Sequence, residues 1–325
     1  MQLQAPRYAW LNGDLVAWDQ CVLHARTQGA FWGANVFEGL RAYWSATHRE
    51  LYMFRVAEHL ARLQRSMKSV RLELACSERE LGDACLELVR ANDFHEDLHI
   101  CVVPYFGMAP GFDPMCHTDD TGVHITALPK ARSDAFEHGI AVAISSWRRI
   151  SDDTMPPRIK SGANYLNNRL AHQEAVRNGY TTALILNQRG SIAEAPGACV
   201  MMLRNGKLVT PPSTSGALEG ITVATVADLA RQDLGLTVEE REIDRTELYV
   251  ADEVFLCGTL AEIQPVVSID RLPVGDGLRG PLTRRLQERF DQIVRGESVR
   301  ESWLTPVYSP IPLNGVVGHA SLGGR

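Results

Sequence analysis

Lys160 stands in the stretch Arg158-Ile159-Lys160-Ser161-Gly162-Ala163-Asn164-Tyr165-Leu166-Asn167. A lone lysine is most often a solvated surface charge. Here it ends an extended segment marked by Pro156 and Pro157, and a small, flexible turn and a helix over Asn164 to Asn178 are expected to follow. That context predicts a lysine on a short strand or at its end. From there the amine reaches into a cleft, where desolvation makes it a neutral nucleophile. Three more segments hold residues able to do chemistry. Glu194 follows the turn Gly190-Ser191-Ile192-Ala193. Gly220-Ile221-Thr222 opens an expected helix: glycine allows a tight entry, the exposed N–H groups and helix dipole favour a dianion, and the Thr222 hydroxyl adds a donor. Phe255 to Val266 closes a strand onto a turn at Gly258-Thr259. On spacing alone, Glu194 reads as a solvated carboxylate, Arg62 as a helix surface charge and Tyr165 as a packing residue at a helix start.

The elements that must position these residues are legible from periodicity. Two strands within Tyr8–Cys21 meet at Asn12-Gly13, a hairpin turn pair. Strands are expected at 36–43, 51–55, 98–106, 124–128 and 140–147. Leu60, Leu63, Met67 and Val70 share one face of a helix over 58–70, with Arg62 off that face. A second helix, 77–92, has Ser77 as N-cap and Glu80 three residues on. In the second half, Leu184–Leu186 and Ile192–Glu194 flank a turn, Met201–Val209 is a hairpin turning at Asn205-Gly206, and helices cover 221–234 and 280–294. Strands and helices alternate irregularly, which predicts a mixed α/β (α+β) chain and excludes a regular doubly wound sheet.

The 325 residues suggest two domains. We expect an N-terminal α/β domain over 1–128, a polar linker over 129–137, a larger domain over 138–300 and a tail, 301–325, of unassigned role. A net charge of −6 without a basic run excludes nucleic acid and anionic membranes as partners. No apolar run approaches the ~18 residues of a membrane span, and Met1-Gln2-Leu3-Gln4-Ala5-Pro6 lacks a signal-peptide core. Seven cysteines without Cys-x-x-Cys, and ten histidines without His-Glu-x-x-His, suggest neither a disulfide framework nor a metal centre. A cytoplasmic protein is expected.

Taken in order, Val36-Phe37-Glu38-Gly39-Leu40-Arg41-Ala42-Tyr43, the Lys160 segment, Glu194, Gly220-Ile221-Thr222 and Phe255–Val266 resemble the class IV aminotransferases, the fold-type IV pyridoxal-phosphate (PLP) enzymes. Within them the chain is most similar to branched-chain-amino-acid aminotransferases, over about residues 8–297. The resemblance implies a small α/β domain, a larger domain with a barrel-like sheet, and pyridoxal 5′-phosphate between them. It implies that Lys160 forms the Schiff base and then acts as general base and acid in amino transfer. It places Glu194 at the pyridine nitrogen, Tyr165 at the ring's 3-oxygen, and Arg62, Gly220, Ile221, Thr222, Gly258 and Thr259 around the phosphate, with Leu218 lining the cofactor pocket. Trp32, Phe37, Gly39, His99, Cys101, Leu260 and Ala261 fall at substrate positions. A homodimer acting on an amino acid and a 2-oxo acid is expected.

The substrate positions depart from the family pattern. Relatives that use glutamate carry Tyr-x-Arg on the strand equivalent to 98–106, where this chain aligns His99 and Cys101. No arginine occurs between Asn92 and Lys130. Cysteine cannot clamp a carboxylate as arginine does, so a non-standard amino donor is expected unless Lys130, Arg132 or a partner subunit substitutes. Cys199 stands where an asparagine is usual, and Val223 where a basic residue is usual. The alternatives are another fold-type IV activity (a lyase-type β-elimination, or a D-amino-acid or amine transaminase) and an inactive PLP-binding protein.

Overall fold

A computed structural model describes residues 5–113, 115–298 and 300–309. Met1–Gln4, Pro114 of the loop after residue 106, Val299, and 310–325 of the tail lie outside it. The first half contains strands β1 (Tyr8–Leu11), β2 (Asp14–Ala17), β3 (Glu38–Ser45), β4 (Glu50–Phe54), β5 (Leu98–Phe106) and β6 (Thr121–Pro129), with helices α1 (Gln28–Phe31), α2 (Val56–Val70) and α3 (Glu78–Asn92). Then follow α4 (Ala135–His138), β7 (Ile140–Arg148), α5 (Tyr165–Arg177), β8 (Thr182–Leu186), β9 (Ile192–Glu194), β10 (Cys199–Arg204), β11 (Lys207–Thr210), α6 (Ile221–Gln232), β12 (Val238–Glu240), α7 (Arg245–Leu248), β13 (Glu253–Gly258), β14 (Glu262–Ile269), β15 (Leu272–Pro273), α8 (Pro281–Val294) and β16 (Leu304–Pro306).

Local chemistry explains the boundaries. Asn12 and Gly13 both have positive φ, as do Asn205 and Gly206, which is what a two-residue hairpin turn demands. The Ser77 hydroxyl accepts from Glu80 N–H while the Glu80 carboxylate accepts from Ser77 N–H, the expected capping box. One expectation changes. Lys160 is not on a strand: a single antiparallel bridge, Ser161 to Val36, follows it. Two prolines within five residues deny the segment the N–H groups that a strand ladder needs.

Two sheets result. The first has seven strands in the order β16-β4-β3-β5-β6-β1-β2. Leu40, Ala42, Leu98, Ile100 and Val102 face α2 and α3 across a core that also holds Leu63, Leu81 and Leu88. The tail joins this sheet: Leu304–Pro306 pairs antiparallel with Tyr52–Phe54. The second sheet has nine strands, with β12-β11-β10-β13-β14-β7-β8-β9 in sequence and β15 beside β14. It curls, and a bridge between Ala195 and Ala198 joins β9 to β10, so that the sheet is barrel-like. Val142, Leu184, Ile192, Val200, Val254 and Val266 fill its interior. Tyr43 and Phe54 of the first sheet pack with Phe255 of the second and Phe290 of α8. The mixed α/β fold with a barrel-like second sheet is as expected. Among the described residues, no helix is long and apolar enough to cross a membrane.

Candidate active site

A cavity of about 150 Å³ opens where the first sheet, the Lys160 loop, the β9–β10 corner and the start of α6 meet. The Lys160 loop is pinned from three sides. Phe37 N–H donates to Lys160 O (2.9 Å), and Lys160 N–H donates to Ser66 Oγ on α2 (3.3 Å). Asn164 Nδ2 donates to the carbonyls of Pro156 and Ile159 (2.9 and 3.0 Å). With its backbone fixed, the half-buried Lys160 turns its amine to Tyr165, the first residue of α5, at 2.6 Å from the phenol oxygen. The same amine lies 4.6 Å from the centre of the Phe37 ring, and that ring meets Tyr165 edge-on.

Glu194 is not solvated. It ends β9 with 4% exposure. Arg149 Nη2 lies 2.8 Å from one carboxylate oxygen, and Leu218 N–H donates to the other at 2.8 Å. Arg149 is itself oriented by Asn168 Oδ1 (2.6 Å) and Gly216 O (3.2 Å). Burial raises the proton affinity of Glu194, and Arg149 and the Leu218 N–H oppose that rise. Nothing in the sequence marked Arg149, which follows another arginine and reads as a surface pair.

Arg62 leaves α2 and reaches the cavity under tight control. Its Nε and Nη2 donate to the two oxygens of Glu38 (2.7 and 2.8 Å), and Nη1 donates to Glu219 O (2.8 Å). His59 Nδ1 lies 2.7 Å from Glu38 as well. Burial would raise the Glu38 pKa, but Arg62 and His59 overcome it and bring it down to about 2. Glu38 and His59 were given no role from sequence; the Val-Phe-Glu-Gly segment contained the signal for Glu38, since a carboxylate in a buried strand needs a cation.

Helix α6 begins at Gly220 without a side-chain cap. A Cβ at Gly220 would sit 2.8 Å from Cys199 Sγ and 3.1 Å from Val223, so any larger residue would have to push these side chains aside where the chain enters the helix. Gly220, Ile221 and Thr222 line the cavity, as do Leu218, Gly258, Thr259 and Leu260. Phe37, Gly39 and His99 form the wall on the first sheet. Three expected residues do not line the cavity. Trp32 is 55% exposed and packs edge-on to Phe31. Cys101 lies on the same strand face as His99 without lining the cavity, and Ala261 is also absent from the lining.

The pattern of the family described as amino-transferase class IV matches residues 35–269. The chain belongs to that family. This class IV aminotransferase is 37% identical over 305 residues to the probable branched-chain-amino-acid aminotransferase of Aquifex aeolicus, covering 93% of this chain and 97% of the relative. It superposes on the branched-chain amino acid aminotransferase of Thermobaculum terrenum, solved in its PLP form, with a TM-score of 0.88 and 43% identity, over 94% of this chain and 99% of that one. The branched-chain aminotransferase structure from Escherichia coli gives a TM-score of 0.88 at 38% identity, over 93% and 99% of the two chains.

Proposed function

We propose that this chain is a PLP-dependent branched-chain-amino-acid aminotransferase, moving an amino group between an apolar amino acid and a 2-oxo acid. The observation that carries this reading is the Lys160 amine held 2.6 Å from the Tyr165 hydroxyl in a cavity that also contains buried Glu194 and the glycine-led start of α6. The names of the full-length relatives agree with it.

The residues present fit pyridoxal 5′-phosphate. Lys160 would hold it covalently, and Tyr165 would donate to its ring oxygen. The α6 start, with Thr222 and Thr259, would cradle its phosphate, with the positive end of the helix dipole facing the dianion. A Cβ at Gly220 would crowd Cys199 Sγ and Val223 beside this cradle. Glu194 would face the ring nitrogen; its raised proton affinity and its bond to Leu218 N–H suit a carboxylate that shares a proton there. When bound, the cofactor supplies the electron sink for the pair released from the substrate's Cα–H bond. The protein does the rest. Lys160 Nζ takes the proton from the substrate Cα and returns one, acting as base and then acid. The Tyr165 hydroxyl accepts a hydrogen bond from that amine and orients it. Phe37 packs against the amine and the Tyr165 ring, and Arg149 keeps Glu194 in place.

The division at residues 129–137 and a cytoplasmic homodimer complete the proposal. Seven unpaired thiols suit a reducing compartment. Exposed Phe31, Trp32 and Phe112 offer an apolar surface for a second copy. The test is product analysis with L-leucine and a 2-oxo acid: stoichiometric amino transfer is expected. Release of pyruvate from an elimination substrate, without amino transfer, would replace this reading with the lyase one.

A further inference from the structure

We infer that the cavity wall built by Phe37, Gly39 and His99, with Cys101 beside it on the same strand face, accepts uncharged substrate side chains and rejects a distal carboxylate, so that glutamate is not the amino donor. The inference rests on the aminotransferase reading and specifies its substrate class.

Strand geometry places these residues together. Leu98, Ile100 and Val102 of β5 enter the first core, so His99 and Cys101 point from the other face of the sheet. Cys101 pairs with Gly39, and His99 with Arg41. Because Gly39 has no side chain, the His99 ring folds over it: Nε2 sits 2.7 Å from where a Cβ would stand. The imidazole is therefore part of the wall. Burial, helped by the charges of Arg41, Lys160 and Lys130, lowers its pKa to about 4, so it is neutral at physiological pH.

The cations that line the cavity are all committed. The charge of Arg62 is paired with Glu38, and three of its five N–H donors go to Glu38 and Glu219 O. Arg149 is held by Glu194, Asn168 and Gly216. Lys160 is the reacting amine. Two further arginines are near the wall but engaged. Arg41 donates to Lys130 O and lies 3.6 Å from both Asp97 and Glu262. Arg132 is bonded to Glu262 (2.6 Å) and Asp291 (2.8 Å) and stacks on Phe136. Lys130 is exposed and does not line the cavity. A distal carboxylate entering here would lose its water and meet a neutral imidazole and the Phe37 ring. A hydrocarbon side chain gains from the same surroundings.

The test uses the PLP-loaded enzyme and its cofactor absorbance in single turnover. L-Leucine is expected to discharge the absorbance, with L-glutamate slower by at least about 100-fold, the scale of an unpaired buried charge. L-Glutamine, of the same size without the charge, is expected to exceed glutamate by about 10-fold or more. Calorimetry with the unreactive analogues isocaproate and glutarate should show the same order of binding. Glutamate reacting within about 10-fold of leucine would overturn the inference while leaving the aminotransferase reading intact. Failure of every donor would overturn that reading and the inference with it. Cys101→Arg, whose retained cofactor absorbance reports folding, should raise the glutamate-to-leucine rate ratio by at least about 10-fold. An unchanged ratio would contradict the assignment to a missing cation.

Discussion

Glu38 shows how much of this site is electrostatic preparation. It is fully buried between Arg62 and His59, and it fixes the arginine that points into the cavity. Its pKa falls from 4.5 to about 2, which corresponds to about 3 kcal/mol of stability. The folded value is the depressed one. The contribution is therefore complete above the unfolded pKa and is lost as pH falls from about 4.5 toward 2. Glu38→Gln should cost about 3 kcal/mol in urea unfolding at pH 7, with the difference from wild type shrinking as pH approaches 2. A difference independent of pH would show that the pair is a packing contact only. At this scale the sequence showed the reacting groups and concealed their supports. Lys160, Tyr165, Glu194 and Thr222 stand in ordered motifs and converge on one cavity. Arg149 and Asn168 act through contacts 19 residues apart in sequence, and a side-chain bond of that reach leaves no local pattern.

Elements make those contacts possible. Hairpin turns, the capping box and the amphipathic helices follow local rules and were legible. The short pieces were not: α1, α4 and α7 have four residues each, and β12 has three, too few for a period to register. The expected strand ahead of Lys160 fails for a related reason, since its pairing reduces to one bridge supplied by residue 36. Trp32, which caps the one-turn helix α1, stands exposed and does not line the cavity. The start of α6 carries a sharper consequence. Gly220→Ala would press a methyl against Cys199 Sγ at 2.8 Å and shift the first turn. PLP affinity should fall by about 10-fold or more while far-ultraviolet dichroism stays unchanged, because the helix keeps its packed face. Unaltered affinity would show that the phosphate is held elsewhere.

At the scale of the whole molecule, the two sheets are joined by charge as well as by the Tyr43–Phe54–Phe290 aromatic contacts. Arg132, from the segment between β6 and β7, binds Glu262 of β14 and Asp291 of α8. Arg295, just after α8, binds Asp97 at the start of the first sheet's β5 and the carbonyl of Trp44. Arg41 lies between Asp97 and Glu262 and links the two groups. Arg132→Met would leave Glu262, 2% exposed, with only the longer contact to Arg41. A loss of about 3 kcal/mol in urea unfolding is expected, the scale for an uncompensated buried charge. A neutral result would mean that the sheets are held by apolar contact alone. None of this network could be read from the sequence, because its members come from five separate segments.

Every scale serves one amine. The measurement that tests this most directly is single-turnover absorbance of the PLP-loaded protein and of Lys160→Ala, each mixed with L-leucine and then with a 2-oxo acid. The wild type should lose its cofactor band with leucine and recover it with the oxo acid. The variant should lack the lysine-bound band and show no turnover. A variant that kept both band and turnover would contradict the assignment of Lys160.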